Sequence, residues 1–214
     1  MKRDRERRRK SLTIEEFTRA IESFESIHKI PDCIYEQCVK ELGTMKVSQL
    51  NEISVTRVLK PFLLDWGRMG RVLGSEGPKA INRKIKSIGD KIEPLRKGDL
   101  FSIDLEKNRS IIIELFDEIC GKTFKNREAK VKRIGPTAAS KVLHLLCPDL
   151  FMMWDSKIRI KYGQRGVGAD YFEFLKQMKH LGVEVKAAIQ HLERKYVRRP
   201  TKLLDQYNWK ITHS

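Results

Sequence analysis

The apolar residues of this chain recur every three or four positions along most of its length, which is the spacing of one face of an α-helix. Isoleucines at positions 81, 85, 88 and 92 give the clearest stripe, with lysines on the opposite face. No segment alternates apolar and polar residues convincingly, and no unit of about 20 to 50 residues repeats. The pattern therefore predicts an all-α protein of about nine or ten helices.

Capping residues, prolines and glycines mark the ends of the predicted helices. Thr13 and Glu16 form a capping-box pattern that begins the first helix, which ends before Pro31. The segment after Pro200 carries apolar side chains and is expected to dock on the body of the protein. Further helices are predicted over residues 32–42, 48–64 with a break at Pro61, 80–92, 104–120, from 136 onward, around 171–178 and over 183–196.

The charge balance bears on the partner of the protein. The 214 residues include 44 Lys and Arg against 28 Asp and Glu, which gives a formal net charge of +16. This excess favours a polyanionic partner over a merely lysine-rich surface, because each phosphate that is neutralised releases a counterion. Seven of the first ten residues are basic, so residues 1–12 are predicted to form a basic tail and residues 13–214 one helical domain.

Targeting signals and metal-ligand patterns are not found in the sequence. No run of about eighteen apolar residues occurs, and no apolar stretch follows the basic N-terminus. We therefore expect an intracellular protein with no membrane partner, in the cytoplasm or nucleoid, or in the nucleus of a eukaryote. The four cysteines lack CxxC spacing, which predicts reduced, mostly buried thiols and no metal site. His144 lies on an apolar helix and is predicted to pack in the core.

The stretch from residue 131 to residue 159 combines a turn that suits phosphate with a carboxylate. Gly135 follows the basic pair Lys132 and Arg133, and it permits a turn whose N–H groups face outward. Pro136 fits the first position of the helix that follows. Asp155 opens another helix after a loop that contains a proline. Taken singly, the turn could be a plain helix-packing unit and the aspartate a simple N-cap.

Taken together, these features resemble the helix-hairpin-helix DNA glycosylases. The segment IGPTAASKVL lies over the family pattern VGxKTAxxVL, and MWDSKI lies over VDTHV without a gap. The resemblance implies a two-lobed helical bundle, with the helix-hairpin-helix motif at about residues 124–146 and a catalytic loop at 147–156. It also implies a monomer that binds double-stranded DNA. Asp155 is then the residue that stabilises the sugar cation or activates water.

The residues expected to contact DNA are basic, small or polar, and they flank this motif or the glycine-rich segment after Trp66. Within that segment, Trp66, Arg68 and Met69 are further expected to form a wedge into the base stack. The predicted DNA-binding set comprises Lys132, Arg133, Gly135, Thr137, Lys157, Arg68 and Arg71.

Three departures from the family pattern shape the expected chemistry. Arg133 stands where a first hairpin glycine is common, so the turn is expected to be wider or to bind phosphate differently. Thr137 occupies the position of the family's Schiff-base lysine, which favours a monofunctional enzyme. Lys141, one turn further on, is the candidate for a displaced lysine; a phosphate-contacting or surface role is the alternative. No cysteine follows Cys147, so the family's iron–sulfur cluster is not expected. No cofactor is predicted, and a monovalent cation at the hairpin is left open.

The sequence thus predicts a base-excision DNA glycosylase that flips a damaged or mismatched base and hydrolyses its N-glycosidic bond. Two other readings remain. One is a non-catalytic protein that binds duplex DNA through the same motif. The other is an RNA-binding module that uses the loop Gly67–Gly70, since a GxxG loop can clamp a phosphate backbone.

Overall fold

Helices dominate the structure, a computed structural model that describes residues 12–27 and 32–213. The predicted basic tail falls almost wholly outside the described residues. Two short 3₁₀ helices (Val47–Gln49 and Glu93–Lys97) and two π-helical stretches (Val55–Leu59 and Pro61–Trp66) occur between the α-helices. The α-helices are α1 Ile14–Ile27, α2 Cys33–Gly43, α3 Glu52–Ser54, α4 Gly70–Leu73, α5 Gly77–Ser87, α6 Gly89–Ile92, α7 Arg109–Ile119, α8 Pro136–Leu146, α9 Ser156–Lys161, α10 Gly168–Glu184, α11 Lys186–Tyr196 and α12 Pro200–His213.

One connected hydrophobic core runs through the described residues. The first helix packs against α12, α7 packs against α10, and α2 packs against α8. The predicted stripe of α7 is buried, as Ile112, Leu115 and Phe116 show. Each such side chain contributes roughly 1.5–3 kcal/mol of stability through burial. The mostly helical class predicted from the periodicity is therefore confirmed.

The predicted capping box at the start of α1 is confirmed. The backbone N–H of Glu16 donates to Thr13 Oγ1 at 3.1 Å, and the N–H of Thr13 donates to Glu16 Oε2 at 3.1 Å. These two bonds satisfy donors that the first helical turn leaves without a partner. Among the described residues, no helix combines the length and the apolar character needed to cross a lipid bilayer.

A β-hairpin interrupts the helices before α8, where no strand was predicted. Strand β1 (Thr123–Lys125) pairs antiparallel with β2 (Val131–Arg133), with Phe124 opposite Lys132. Asn126 Oδ1 closes the turn by accepting from the N–H groups of Glu128 and Lys130 at 3.1 and 2.9 Å. Because strands occupy these residues, the predicted start of a helix-hairpin-helix motif near residue 124 is wrong. The helix before the hairpin is α7, and the helix after it, α8, begins at Pro136 as predicted.

The predicted break at Pro61 is also wrong. Helical structure continues through this residue from α3 to Trp66, with wide π-turns on either side of Lys60. The wider turns accommodate a proline ring and its missing N–H, which an ordinary helix interior would not. The stretch ends at Gly67, whose N–H donates to Phe62 O at 2.8 Å. This continuation carries Trp66 to the position described below.

The segment after Pro200 docks on the body, as expected, and forms a full helix, α12. Leu203 and Leu204 are completely buried against the core. The N-terminus of the helix is fixed by Thr201 Oγ1, which donates to Pro148 O at 2.5 Å, and by an ion pair of 2.7 Å between Arg199 and Asp149. Because its apolar face is anchored, the opposite side of α12 is held over the loop that precedes α9.

Candidate functional site

A cavity of about 460 Å³ lies where α12 meets α8, α9 and the end of the π-helical stretch. Its size falls within the range of roughly 300–1,000 Å³ that is common for small-molecule sites. All three tryptophans of the chain line it. The full lining comprises Phe24, Asp32, Trp66, Gly67, Arg68, Lys141, Met153, Trp154, Asp155, Ile158, Lys202, Asp205 and Trp209.

Asp155 both caps a helix and faces the cavity. Its Oδ1 accepts a hydrogen bond from the N–H of Ile158 at 2.9 Å, which is the geometry of an N-cap of α9. Its Oδ2 lies 3.1 Å from Nε2 of His213, at the last turn of α12. The simple N-cap reading is therefore confirmed as a contact, and the same carboxylate also lines the cavity.

Lys141 reaches the cavity from α8, whereas Thr137 is not among the lining residues. The Nζ of Lys141 donates to Gly67 O at 3.0 Å and lies 5.3 Å from the centre of the Trp66 ring. Burial lowers the pKa of Lys141, and the charge of Lys202 acts in the same direction, while the carboxylates Asp205 and Asp155 oppose them. A lysine in such surroundings is more easily deprotonated, which suits either a nucleophile or a proton acceptor.

Lys202 is a buried cation beside two carboxylates. Only 3% of its surface is exposed. Its Nζ lies 3.8 Å from Asp32 Oδ1 and 3.7 Å from Asp205 Oδ2. The same Nζ lies 4.7 Å from the centre of the Trp66 ring and 4.9 Å from that of Tyr35. Aromatic faces and carboxylates together offset the cost of burying this charge.

Asp205 has an unusual proton affinity in this cluster. Burial raises its pKa to about 6, although the ammonium groups of Lys202 and Lys141 act to lower it. The charges of Asp32 and Asp155 raise it further. A carboxyl group with a pKa in this range is close to the point of exchanging protons at neutral pH, which is typical of functional sites.

Aromatic rings form much of the wall. Trp66 stacks on Phe62 at a centroid distance of 5.2 Å, and its Nε1 donates to Asp32 Oδ1 at 3.0 Å. On the α12 side, Trp209 stacks on His213 at 4.8 Å with an interplanar angle of 3°. Flat apolar walls with a few fixed charges are what a planar heterocycle requires.

His144 lies behind this wall, in the core, as predicted. Its Nδ1 is 2.7 Å from Phe151 O, and its Nε2 is 2.8 Å from the hydroxyl of Tyr35. Since a carbonyl can only accept, Nδ1 carries the proton and Nε2 accepts from the tyrosine. Burial lowers the pKa of His144 to about 3, so the ring is neutral. The network fixes Tyr35, which in turn contacts Lys202 and Trp66.

The predicted DNA-binding residues fall into three groups. Arg68 is exposed at the edge of the cavity, and Arg71 lies on α4, which packs against β2. Lys132 and Arg133 lie on β2 itself. Gly135 and Thr137 are half-exposed at the start of α8, and Lys157 is exposed on α9.

The backbone at Gly135 has no conformation that requires glycine, and the wedge expected at Met69 is wrong. The backbone of Gly135 has φ −83° and ψ 171°, and a Cβ added there would meet no atom within 4 Å. Its conformation is one that any residue adopts, so the turn does not depend on glycine. Met69 is 8% exposed and packs in the core, so it cannot form a wedge into DNA. Of that loop, Trp66 and Arg68 line the cavity instead.

Sequence reasoning missed the contribution of α12. Lys202, Asp205, Trp209 and His213 follow one another at intervals of three, four and four residues, which places them along one helix face. That spacing was a visible signal. It could not indicate that the face would meet Asp155, because this depends on how α12 docks.

Neither the cysteines nor the possible metal ligands of the described residues form a further candidate site. Cys38 and Cys147 are buried and no cysteine of the described residues is in a disulfide. Burial raises the pKa of Cys38 to about 11, so this thiol is protonated and unreactive. No group of three or more His, Cys, Asp or Glu side chains that could hold a metal ion occurs in the part of the chain that the structure describes.

Comparisons of this chain with protein-family models, with curated proteins and with solved structures gave no match.

Proposed function

We propose that this protein is a base-excision DNA glycosylase and that the cavity receives the flipped base. The observation that carries the proposal is the position of Asp155, which shares one cavity with Lys141 and with the aromatic rings of Trp66 and Trp209. A flipped base needs a flat apolar pocket, and the sugar attached to it needs a carboxylate at the pocket mouth.

The chemistry follows from these groups. As the bond between C1′ and the base nitrogen breaks, the base leaves with the bonding electrons and positive charge develops on the sugar. The carboxylate of Asp155 stabilises that charge. A water molecule then bonds to C1′ and loses a proton, while the departing base anion takes up a proton from solvent. Asp155 is the acceptor for the proton of that water.

The surface around the cavity supports duplex DNA as the partner. Arg68 stands at its edge, and Arg71 on α4 leads to Lys132 and Arg133 on the hairpin. Cations at these places can contact phosphates on either side of a flipped nucleotide. The predicted two-lobed arrangement remains part of this proposal. In it, α7 and α8 are the two helices that flank the β-hairpin. We also propose that the protein acts as an intracellular monomer.

Asp155→Asn is the decisive variant. Asparagine caps a helix as well as aspartate does, so α9 should remain folded while the charge is lost. We expect base release to fall by at least about 100-fold, the usual loss when a charge-stabilising group is removed. Duplexes carrying uracil, 8-oxoguanine, hypoxanthine, an alkylated base or a mismatch are the substrates. Asp90→Asn, an exposed residue on α6, is the matched control and should retain full activity.

Lys141 defines whether a lyase step follows. A displaced Schiff-base lysine would form a covalent DNA adduct that borohydride traps, and Lys141→Ala would abolish it. A wild-type enzyme that releases base without any trapped adduct is monofunctional. Release of no base from any of the substrates, or full activity of Asp155→Asn, would refute the glycosylase proposal.

A second function is favoured by the Arg133 and Thr137 substitutions in the family motif. In that case the protein binds duplex DNA without cleaving the glycosidic bond. It then shows salt-dependent binding that weakens when the charges of Lys132 and Arg133 are removed, and no base release.

A further inference from the structure

The three carboxylates of the cavity differ in how many of their acceptor positions are already used. Asp155 accepts from the N–H of Ile158 and contacts His213. Asp32 accepts from Trp66 Nε1 and lies 3.5 Å from Arg198. Asp205 accepts no hydrogen bond of ordinary length from any described residue, and its nearest cation is Lys202 at 3.7 Å. Its oxygens are therefore the acceptors that remain available to a ligand.

Two ammonium groups accompany this free acceptor. Lys202 contacts its carboxylate partners at 3.7 and 3.8 Å, so its three N–H donors make no short bond within the described residues. Lys141 donates one of its three protons to Gly67 O. Both ammonium groups act electrostatically on Asp205, and all three side chains line the same cavity. The cavity thus offers two donors, Lys141 and Lys202, and one acceptor, Asp205, each with unused capacity.

A ligand that matches these three groups presents two carbonyl oxygens to the ammonium groups and one N–H to the carboxylate. We propose that the cavity selects bases that present a carbonyl, an N–H and a second carbonyl side by side. Uracil has this edge at O4, N3–H and O2, and an 8-oxopurine has it at O6, N7–H and O8. The N–H donates to Asp205, and Lys141 and Lys202 each donate to one carbonyl. This inference rests on the proposed glycosylase function and names the substrate class of that same cavity.

The same array disfavours other bases. Cytosine and adenine present an amino group where the array needs a carbonyl, so an ammonium would face a donor. A base with a fixed positive charge, such as an N-alkylated purine, would lie beside the ammonium groups of Lys141 and Lys202, which lie against the Trp66 ring. The like charges would repel each other. A polar site discriminates strongly in this way because a mismatched ligand leaves its buried groups without partners.

Binding to nucleotides that cannot be cleaved tests the inference without relying on catalysis. A 2′-fluoroarabino sugar resists loss of the base, so uracil and cytosine can be compared as bound ligands. Each is placed opposite an abasic-site analogue, so that neither loses a base pair when it flips. We expect the uracil duplex to bind at least about tenfold more tightly. The pair 8-oxoguanine and guanine should differ in the same direction.

Single-residue variants test whether Asp205 and Lys202 cause the preference for uracil over cytosine. Asp205→Asn replaces part of the acceptor with an N–H donor and should remove the preference for uracil over cytosine, and Lys202→Met should weaken it. Asp90→Asn should leave it intact. Thermal melting of each variant shows whether it is folded, and the wild-type comparison stands whatever the variants do.

The possible results distinguish a failure of this inference from a failure of the proposed glycosylase function. Equal affinity for the uracil and cytosine duplexes, no binding of either, or a preference that survives in folded Asp205→Asn overturns the inference. Base release together with equal binding refutes the inference alone. A clear uracil preference without release of any base from the five substrates supports the array and refutes the glycosylase proposal.

Discussion

At the scale of single residues, identical side chains in one cavity have different properties because their partners differ. Asp155 is held by a backbone N–H and an imidazole, Asp32 by an indole and cations, and Asp205 by burial beside Lys202. The role of Asp155 could be predicted from sequence because an N-cap depends on the next three residues. The state of Asp205 could not, since burial raises its pKa to about 6, and that burial depends on how distant elements pack around it.

The two glycines of the loop Gly67–Gly70 make a matched pair for mutation. A Cβ on Gly67 would lie 2.8 Å from the carbonyl oxygens of Leu63 and Phe62, which is too close. A Cβ on Gly70 would meet nothing within 4 Å. We expect Gly67→Ala to lower the free energy of unfolding by about 1–3 kcal/mol. Gly70→Ala, at the first residue of α4, should leave it unchanged or raise it by up to about 1 kcal/mol.

Chemical denaturation of the two variants measures this difference. Gly67→Ala should also disturb the bond from Lys141 to Gly67 O, and so change the cavity as well as the stability. Equal stability of the two variants would show that the end of the π-helical stretch can shift to make room.

At the scale of elements, long helices were predictable and short or displaced elements were not. The stripe of α7 extends over eleven residues, enough for its period to stand out. The strands of the hairpin have three residues each, which is too few to establish an alternation. Pro61 gave a misleading stop signal because the rule assumes an ordinary helix, and the wide turns around it relax that rule.

The hairpin presents a basic outer surface, and under the proposed function this surface contacts the DNA backbone. Lys125, Arg127 and Lys130 are exposed there. Arg127 lies 3.6 Å from Glu76, and Lys130 lies 2.9 Å from Glu128. Both cations of these ion pairs are open to solvent. Such pairs are weak, so a phosphate can replace them. Phe124 is buried beneath and anchors the ribbon to the body.

Replacing these three cations with serine should weaken binding to undamaged duplex DNA. The dependence of log affinity on log salt concentration should also become shallower, by about 0.9 for each phosphate contact that is lost. The control is a variant with the same charge change at Lys40, Lys107 and Lys186, which are exposed on α2, before α7 and on α11. Affinity measured at several salt concentrations distinguishes the two. An equal loss in the control would mean that net charge, and not the hairpin, determines binding.

At the scale of the whole molecule, two buried groups shift stability with pH in opposite directions. His144 has a pKa of about 3 in the folded protein and about 6.5 when unfolded, so the unfolded state binds more protons below pH 6.5 and stability falls with acid. Asp205 has a pKa of about 6 when folded, above the value of 3.8 for a free aspartate, so the folded state binds more protons and stability rises with acid.

The two effects should nearly cancel between pH 6 and pH 4.5. In Asp205→Asn the compensation is lost, and the free energy of unfolding should fall by about 1.4 kcal/mol for each pH unit in this window. His144→Gln should show the reverse, with a stability that increases as the pH falls. Denaturant titrations at four or five pH values would measure these slopes. Parallel pH profiles of the wild type and Asp205→Asn would contradict the assigned charge states.

Prediction from sequence is most accurate for features that neighbouring residues determine. It is least accurate for contacts between segments that are far apart in the chain. Helical class, the first capping box, the core position of His144 and the cap at Asp155 all follow from neighbours in sequence. The cavity joins residue 24 to residue 209, and no periodic pattern encodes which faces will meet across that distance.

The gathering of Trp66, Trp154 and Trp209 around one cavity gives the protein a built-in optical signal. No tryptophan lies elsewhere in the chain, so all of its indole emission originates at this one place. A planar molecule that enters the cavity will alter that emission directly, by stacking or by displacing water. Ligands can therefore be ranked by intrinsic fluorescence on the unlabelled protein, in minutes and without any reaction taking place.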